Sequence, residues 1–371
     1  MKIERIETIP VRIPLKAGLT TKTAHGIHAT SDYAIIRVYT DEGVIGLGEA
    51  TVAPRWTGET SSTCISVIGE LIAPALLGQN PLEITYLRQR MDRVIKLNPF
   101  TKAGLEMALW DIAGKVANLP VYQLLGGIAH PRMRIKLPIG AFDRDIVVQV
   151  TERFLSMGVS CLKIKTGLDP VGDIERVRTV REIAGPDVPI TIDSNCGWNL
   201  RVARETLLKL AEFDILLAEQ PIQPNDVMAM AELRATVPMP LMADESVFTL
   251  TDAWNLCRAQ AVDILSVYPG KHGGIASTVE IVNVAKAAGL VCTIGSNLEL
   301  GIATAAMLHV AAALPTMDCE TYPADLVGPL FHEADLLTEP LDLGPPYAKC
   351  PTGPGLGVTL DEAQLKRWRV D

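Results

Sequence analysis

Short apolar runs, each closed by a charged residue, recur along the middle of the chain. The first is Cys161-Leu-Lys163-Ile-Lys165, followed by Ile190-Thr-Ile-Asp193-Ser-Asn195 and Leu216-Leu-Ala-Glu219-Gln-Pro221. Then come Leu241-Met-Ala-Asp244-Glu-Ser246 and Ile264-Leu-Ser-Val-Tyr-Pro-Gly-Lys271. Runs this short, bounded by turn residues, read as buried strands. Helical tracts lie between them, so strand and helix alternate as in a β/α barrel. The pattern predicts eight strands, at 134–140, 161–165, 189–194, 215–219, 240–244, 263–268, 290–295 and 317–321. Seven helices are expected near 144–158, 171–184, 200–213, 225–236, 251–260, 274–288 and 301–314.

The first third of the chain is patterned differently. Ile3, Ile6, Ile9, Val11 and Ile13 follow a period of two with slips, which predicts an edge-type strand. Tyr33–Tyr39 is a second strand, and Asp41-Glu-Gly43 turns it into Val44–Ala50 as a hairpin. Helical tracts follow over 59–78, 82–96 and 101–118, so this block is α+β with its strands first. The polar stretch 16–31 and the stretch 53–59 read as loops, and loops of this kind often act as lids. The expected organisation is a capping domain over 1–130, a barrel over 131–322, and an irregular segment over 323–371 folding back on the cap.

Composition narrows the class. The chain has 371 residues, 48% hydrophobic and 21% charged, which is enough for a large core plus a second domain. A net charge of −9 gives no reason to expect nucleic acid or an anionic membrane as partner. No long apolar segment suggests a membrane span, and the first residues lack a signal-peptide pattern. Seven scattered cysteines without a Cys-x-x-Cys pair fit a reduced, cytoplasmic protein.

The chemistry sits at the strand ends. Asp193, Glu219 and Asp244 recur at intervals of about 25 residues, the length of a β/α unit, so they converge on one barrel mouth. Any one alone would more often be a helix cap or a loop carboxylate. Together, three hard oxygen donors suit a divalent ion such as Mg²⁺, without which they would repel. Lys163 and Lys165 are two apart and share a face. They read either as a solvated pair at a strand end or as neighbours that disfavour each other's protonation, which would make a useful base. Lys271, in Pro269-Gly-Lys-His-Gly-Gly274, falls across the mouth from Lys165 and lacks phosphate-loop spacing. Glu299 is either a polar group at the seventh strand end or a helix-start glutamate. The histidines have no spacing that suggests a metal site or a triad. Cys196 reads as packing rather than as a nucleophile.

At these residues the sequence resembles the muconate lactonizing enzyme subgroup of the enolase superfamily, almost end to end. The resemblance rests on Lys-x-Lys at 163–165, Asp-x-Asn at 193–195 and Glu-Gln-Pro at 219–221. It rests also on Asp-Glu-Ser at 244–246, Lys-x-Gly-Gly at 271–274 and the tail Gly353-Pro-Gly-Leu-Gly357. It implies an α/β fold: an α+β capping domain over a modified (β/α)₇β TIM barrel. It implies Mg²⁺, with Mn²⁺ as substitute, on Asp193, Glu219 and Asp244, binding a small carboxylate substrate whose α-proton is removed. Lys165 and Lys271 would be the acid/base pair, with Lys163 holding the carboxylate and depressing the pKa of Lys165. It also implies a homo-oligomer, dimer to octamer. Asn195, Arg55 and Trp56 are candidate substrate contacts, with Glu299 beside them. Asp318-Cys-Glu320 approximates the Asp-x-Asp by which dipeptide epimerases of this subgroup bind an ammonium group. The expected reaction is cycloisomerisation of a muconate-like diacid. The alternatives are racemisation or epimerisation of an amino-acid derivative or dipeptide, dehydration of a hydroxy acid, and an inert carboxylate-binding barrel.

Overall fold

The computed structural model describes residues 1–370. The N-terminal block is built on a three-stranded antiparallel sheet of β1 (Ile3–Pro14), β4 (Thr30–Thr40) and β5 (Ile45–Thr51), with β4 central. Ile9 pairs with Ile35 and Val11 with Tyr33 in one register. A shift between Ile3 and Arg5 puts Ile3 and Ile6 on one face, and Ile9, Val11 and Ile13 pack into a different core cluster, which accounts for the two slips in the sequence period. The helix Pro99–Ala117 lies directly on this sheet. Gly48 makes that possible: a Cβ there would fall 1.8 Å from the Gly104 carbonyl oxygen in the helix. Thirteen of the 19 residues of this helix are buried, as are all 13 of the barrel helix Gly301–Ala313, so neither shows an amphipathic stripe.

The stretch 16–31, expected to be a plain loop, contains a small hairpin of β2 (Thr21–Thr23) and β3 (Gly26–His28). Its strands are only three residues each, too short to stand out as a period. The expected loop 53–59 carries a single helical turn, Pro54–Thr57, started by its proline.

The barrel strands are β7 (Leu137–Ile139), β8 (Leu162–Lys165), β9 (Ile190–Asp193), β10 (Ile215–Glu219), β11 (Leu241–Ala243), β12 (Ile264–Val267) and β13 (Val291–Ile294). They form one parallel sheet in chain order, as successive β/α units must. Helix starts are marked chemically: Asp169, Asn199 and Asp226 accept backbone amides of the first turn, and Thr249 with Asp252 forms a capping box.

The expected eighth strand at 317–321 is not a strand. Met317 bridges to Cys292, residues 318–322 turn away, and the chain returns to bridge Ala324 to Ile135. Asp325 N then donates to the Ile294 carbonyl, so 317–325 spans the gap between β13 and β7 at two separate points. A two-stranded sheet joins β6 (Met133–Arg134) to β14 (Tyr347–Ala348). Further on, Leu356 N donates to Asp111 Oδ1, Arg369 bridges to Val11 and Val370 N donates to the Pro10 carbonyl.

Buried carboxylates stitch the cap to the barrel. Glu49 of β5 accepts the amides of Leu300 and Ala303, at the start of the helix Gly301–Ala313. Glu106 accepts those of Ile275 and Ala276, opening the helix Ile275–Ala287. Orphan first-turn amides find acceptors there, while burial pushes both carboxyls up.

Candidate active site

The C-terminal ends of the barrel strands open into a cavity of about 380 Å³, roofed by the hairpin 21–28 and the turn 54–57. Lys163, Lys165, Asp193, Asn195, Asp244 and Asp325 line its floor. Lys163 and Lys165 do share a face. Lys165 Nζ donates to Asp193 Oδ2 (2.6 Å) and Asn195 Oδ1 (3.0 Å). Lys163 Nζ lies between three acids: Glu219 Oε2 at 2.6 Å, Asp325 Oδ2 at 2.9 Å and Asp193 Oδ2 at 3.1 Å. Burial opposes its charge, but these acids outweigh burial and raise the ammonium pKa well above the ordinary lysine value. Lys163 is therefore held in its charged form by the acids around it.

Local backbone geometry aims the acids. Asp193 ends β9, and Asn195 and Cys196 follow it with left-handed φ of 42° and 64°. Asn195 N donates back to Asp193 Oδ1. Glu219 ends β10 and is followed by Gln220, also left-handed, at φ 36°. Non-glycine residues in this region cost energy and cluster at functional sites. The Gln220 side chain ties neighbouring strand ends together: its oxygen accepts Asp244 N and Ser246 N, and its amide donates to Ile222 O and Ser246 Oγ. This positioning residue lies inside the Glu-Gln-Pro motif.

The acids are electrostatically unequal. Burial pushes the Asp193 carboxyl up, but Lys163 and Lys165 overcome it and hold the group below the ordinary range. Burial, reinforced by Asp193, pushes Glu219 up against the pull of Lys163. Burial also raises Asp244, and Lys271 opposes the rise. Glu219 Oε2 is buried and has no hydrogen-bond partner; its contact with Lys163 is an ion pair without hydrogen-bond geometry. Three hard carboxylates, one with an unpartnered oxygen, fit a divalent cation.

Lys271 sits in the short helix Pro269–His272 and is fully buried. Its Nζ donates to Asp244 Oδ1 (2.5 Å), the Asp244 carbonyl (2.8 Å) and the Ser266 carbonyl (3.0 Å). It stands behind Asp244 and is not part of the cavity lining.

Arg55 and Trp56 both line the roof. The Arg55 guanidinium lies against the hairpin backbone, where a Cβ at Gly26 would meet its Nη1 at 2.8 Å. Trp56 packs edge-on to His25 and Phe248. Glu299 is buried beside the lining rather than in it: it accepts Ser296 Oγ and Asn297 N, and burial pushes its carboxyl up to about 7. Asp318 and Glu320 fall outside the cavity. Asp318 accepts Thr321 N within the turn, and Glu320 accepts the Tyr347 hydroxyl. The eighth-strand acid that reaches the site is Asp325, which sequence reading missed. Burial opposes its charge, but Lys136 and Lys163 hold its carboxyl below the ordinary range. Its signal was Ala324-Asp325-Leu326-Val327, another short apolar run around a charge, and its partner Lys136 is a lysine inside the apolar run of the first barrel strand.

A curled parallel sheet under an α+β cap, with acids and lysines at its strand ends, defines an enolase-type barrel. The chain belongs to the mandelate racemase/muconate lactonizing enzyme family of the enolase superfamily. Residues 5–126 match its N-terminal domain, and residues 145–364 match the family described as enolase C-terminal domain-like. The chain is 34% identical to muconate cycloisomerase 1 of Rhodococcus opacus, covering 99% of this chain and 98% of that protein. It is 31% identical to the N-succinyl-L-Arg/Lys racemase of Bacillus cereus, covering 100% and 98%. The dipeptide epimerase of Cytophaga hutchinsonii, solved with Mg and D-Ala-L-Val, superposes with a TM-score of 0.94 at 29% identity, covering 99% of this chain and 98% of that one. The relatives are thus isomerases of several specificities, and no helix among the described residues is long and apolar enough to cross a membrane.

Proposed function

We propose that this protein is a Mg²⁺-dependent isomerase that moves the α-proton of a carboxylate substrate, with cycloisomerisation of a muconate-type diacid as its reaction. Asp193, Glu219 and Asp244 would hold the ion. Bound there, it would supply positive charge for the substrate carboxylate and for the charge that builds on it as the proton leaves. Lys165 is the proton carrier: it lines the cavity and its Nζ already touches Asp193, one of the three acids. Asn195 and Asp193 orient its ammonium. Lys163 remains charged and balances Asp193, Glu219 and Asp325. The choice of cycloisomerisation rests on the overall likeness to muconate cycloisomerase 1. Lys271 is held on Asp244, itself a proposed ligand, so a cation there competes for that contact and Lys271 stands as a candidate second base.

The roof favours a second anionic group on the substrate. Arg55 is a planar cation that can hold a distal carboxylate in bidentate fashion. Asp318 and Glu320 lie outside the cavity. Asp325 lines it with Oδ2 on Lys136 and Lys163 and Oδ1 unpartnered, and those two ammonium groups disfavour a third cation beside it. Racemisation of an N-acylated amino acid bearing a second carboxylate is the other reading, supported by the same arginine.

Isotope exchange in D₂O separates the two. With a muconolactone, Lys165→Ala should lose exchange by roughly 10²-fold or more, while Lys271→Ala retains it. With an N-succinyl amino acid and two-base chemistry, each variant would lose exchange from one enantiomer only. Normal exchange in both variants would remove lysine from the mechanism, and absence of exchange with every carboxylate would leave an inert binding barrel. Arg55→Lys should raise KM for the diacid several-fold with kcat little changed, since fork geometry is lost and charge is kept.

A further inference from the structure

A second cluster of ligating side chains lies beside the acids. His25 is at the tip of the hairpin 21–28, Cys196 follows Asn195 after β9, and Glu245 follows Asp244 after β11. One donor atom from each lies within 4.8 Å of the others. His25 Nε2 is 3.0 Å from Glu245 Oε1, and Asn195 Nδ2 donates to the same oxygen. The other oxygen, Glu245 Oε2, is buried without a hydrogen-bond partner, on a side chain only 6% exposed. Cys196 is buried as well. A buried carboxylate oxygen left unpaired, next to a thiol and an imidazole, is a donor open to a cation.

We infer that His25, Cys196 and Glu245 form a site for a borderline-soft divalent cation, best satisfied by Zn²⁺, that pins the hairpin closed over the cavity. Nitrogen, sulfur and oxygen donors together suit zinc, whereas the all-oxygen set of Asp193, Glu219 and Asp244 suits a hard ion. The two sites therefore select different metals although their ligands are near neighbours in sequence. On binding, the Cys196 S–H bond is given up, its proton passes to solvent and a metal–sulfur bond replaces it. The proton that Nε2 shares with Glu245 Oε1 must also leave, the imidazole taking its Nδ1–H tautomer so that Nε2 can bind the metal. Three protein ligands leave one tetrahedral position, which water can fill. Two ligands belong to the barrel and one to the roof, so the cation holds the hairpin shut.

Cobalt makes this visible. The full chain, saturated with Mg²⁺, is titrated with Co²⁺, whose thiolate complexes absorb in the near ultraviolet. One Co²⁺ per chain should produce this band, and Zn²⁺ should abolish it. Cys196→Ala should eliminate the band, and His25→Ala should shift its midpoint by about tenfold or more. No band in the unaltered protein, or a band that persists in Cys196→Ala, overturns the site. Because Cys196 is buried, His25→Ala serves as the second arm: His25 is partly exposed, and an unchanged midpoint in that variant overturns it equally. Zn²⁺ should also slow tryptic cleavage after Lys22 in the unaltered chain and not in His25→Ala. Equal protection in both would overturn the pinning.

Discussion

Two sets of buried carboxylates hold this molecule's interest, and they are satisfied in opposite ways. At the seam between cap and barrel, Glu49 and Glu106 accept backbone amides at helix starts. Glu106 also accepts Trp110 Nε1, and Glu49 also accepts the Thr51 hydroxyl. At the barrel mouth, Asp193, Glu219, Asp244 and Asp325 are balanced mainly by lysine ammonium groups. Amides in a helix cannot leave, whereas a lysine on a flexible stem can turn aside for a cation or a substrate. Fixed dipoles make a joint, and mobile charges make a site.

The sharpest way to break this contrast is to neutralise one acid of each kind. Glu219→Gln should weaken Mg²⁺ binding by about 10–100-fold and abolish turnover at ordinary Mg²⁺ levels. It should leave the melting temperature of the metal-free protein unchanged or raised, because burial already disfavours the Glu219 charge. Calorimetric Mg²⁺ titration and thermal melts check both halves, and full turnover in excess chelator would refute the metal assignment. Glu106→Gln should do the reverse. The glutamine oxygen can still accept at one position, but its NH2 would face a donor at the other, costing about 1–3 kcal/mol of stability while Mg²⁺ affinity holds.

A third variant sharpens the role of Lys163. Lys163→Ala strips Asp193, Glu219 and Asp325 of their shared cation, so the melting temperature should fall in chelator. Mg²⁺ should recover more of the loss here than in the unaltered protein. An equal Mg²⁺ increment in both would mean that lysine and metal do not balance the same acids.

The smallest effect concerns pH. Burial pushes the Glu49 carboxyl from 4.5 up to about 8, against the pull of its amide donors. Between those values the unfolded chain has lost this proton and the folded chain has kept it. Stability therefore falls as pH rises through that window. Glu49→Gln removes the titration, so the difference in unfolding free energy between variant and parent should change with pH across the window. A constant difference would show that the amides hold Glu49 ionised.

The strand-end acids and lysines were legible because each closes a short apolar run at a regular interval. Seven barrel strands and the cap sheet followed from the same pattern. The eighth position was not legible: 317–325 touches the barrel at two points with a turn between, so periodicity picked out Met317–Thr321 and passed over Asp325. His25 escaped for a related reason, since a hairpin of two three-residue strands leaves no period to read. Lys271 was expected across the mouth from Lys165; its contacts with Asp244 and the Ser266 carbonyl are brought together only by folding and left no sign in the sequence. Glu49 and Glu106 gave no sequence sign of their partners, which lie far along the chain.

The attachment of residues 355–370 to the cap has a consequence for how the protein is made. Asp111 waits for Leu356, and β1 waits for Arg369 and Val370. On a ribosome the cap emerges first, yet it lacks these edges until the whole barrel has been synthesised. Contacts of this sequence separation are slow to form and leave partly folded chains exposed to association. Closure of the barrel through Ala324 and Asp325 and completion of the cap edge through Leu356, Arg369 and Val370 are therefore both late events in synthesis relative to the elements they join.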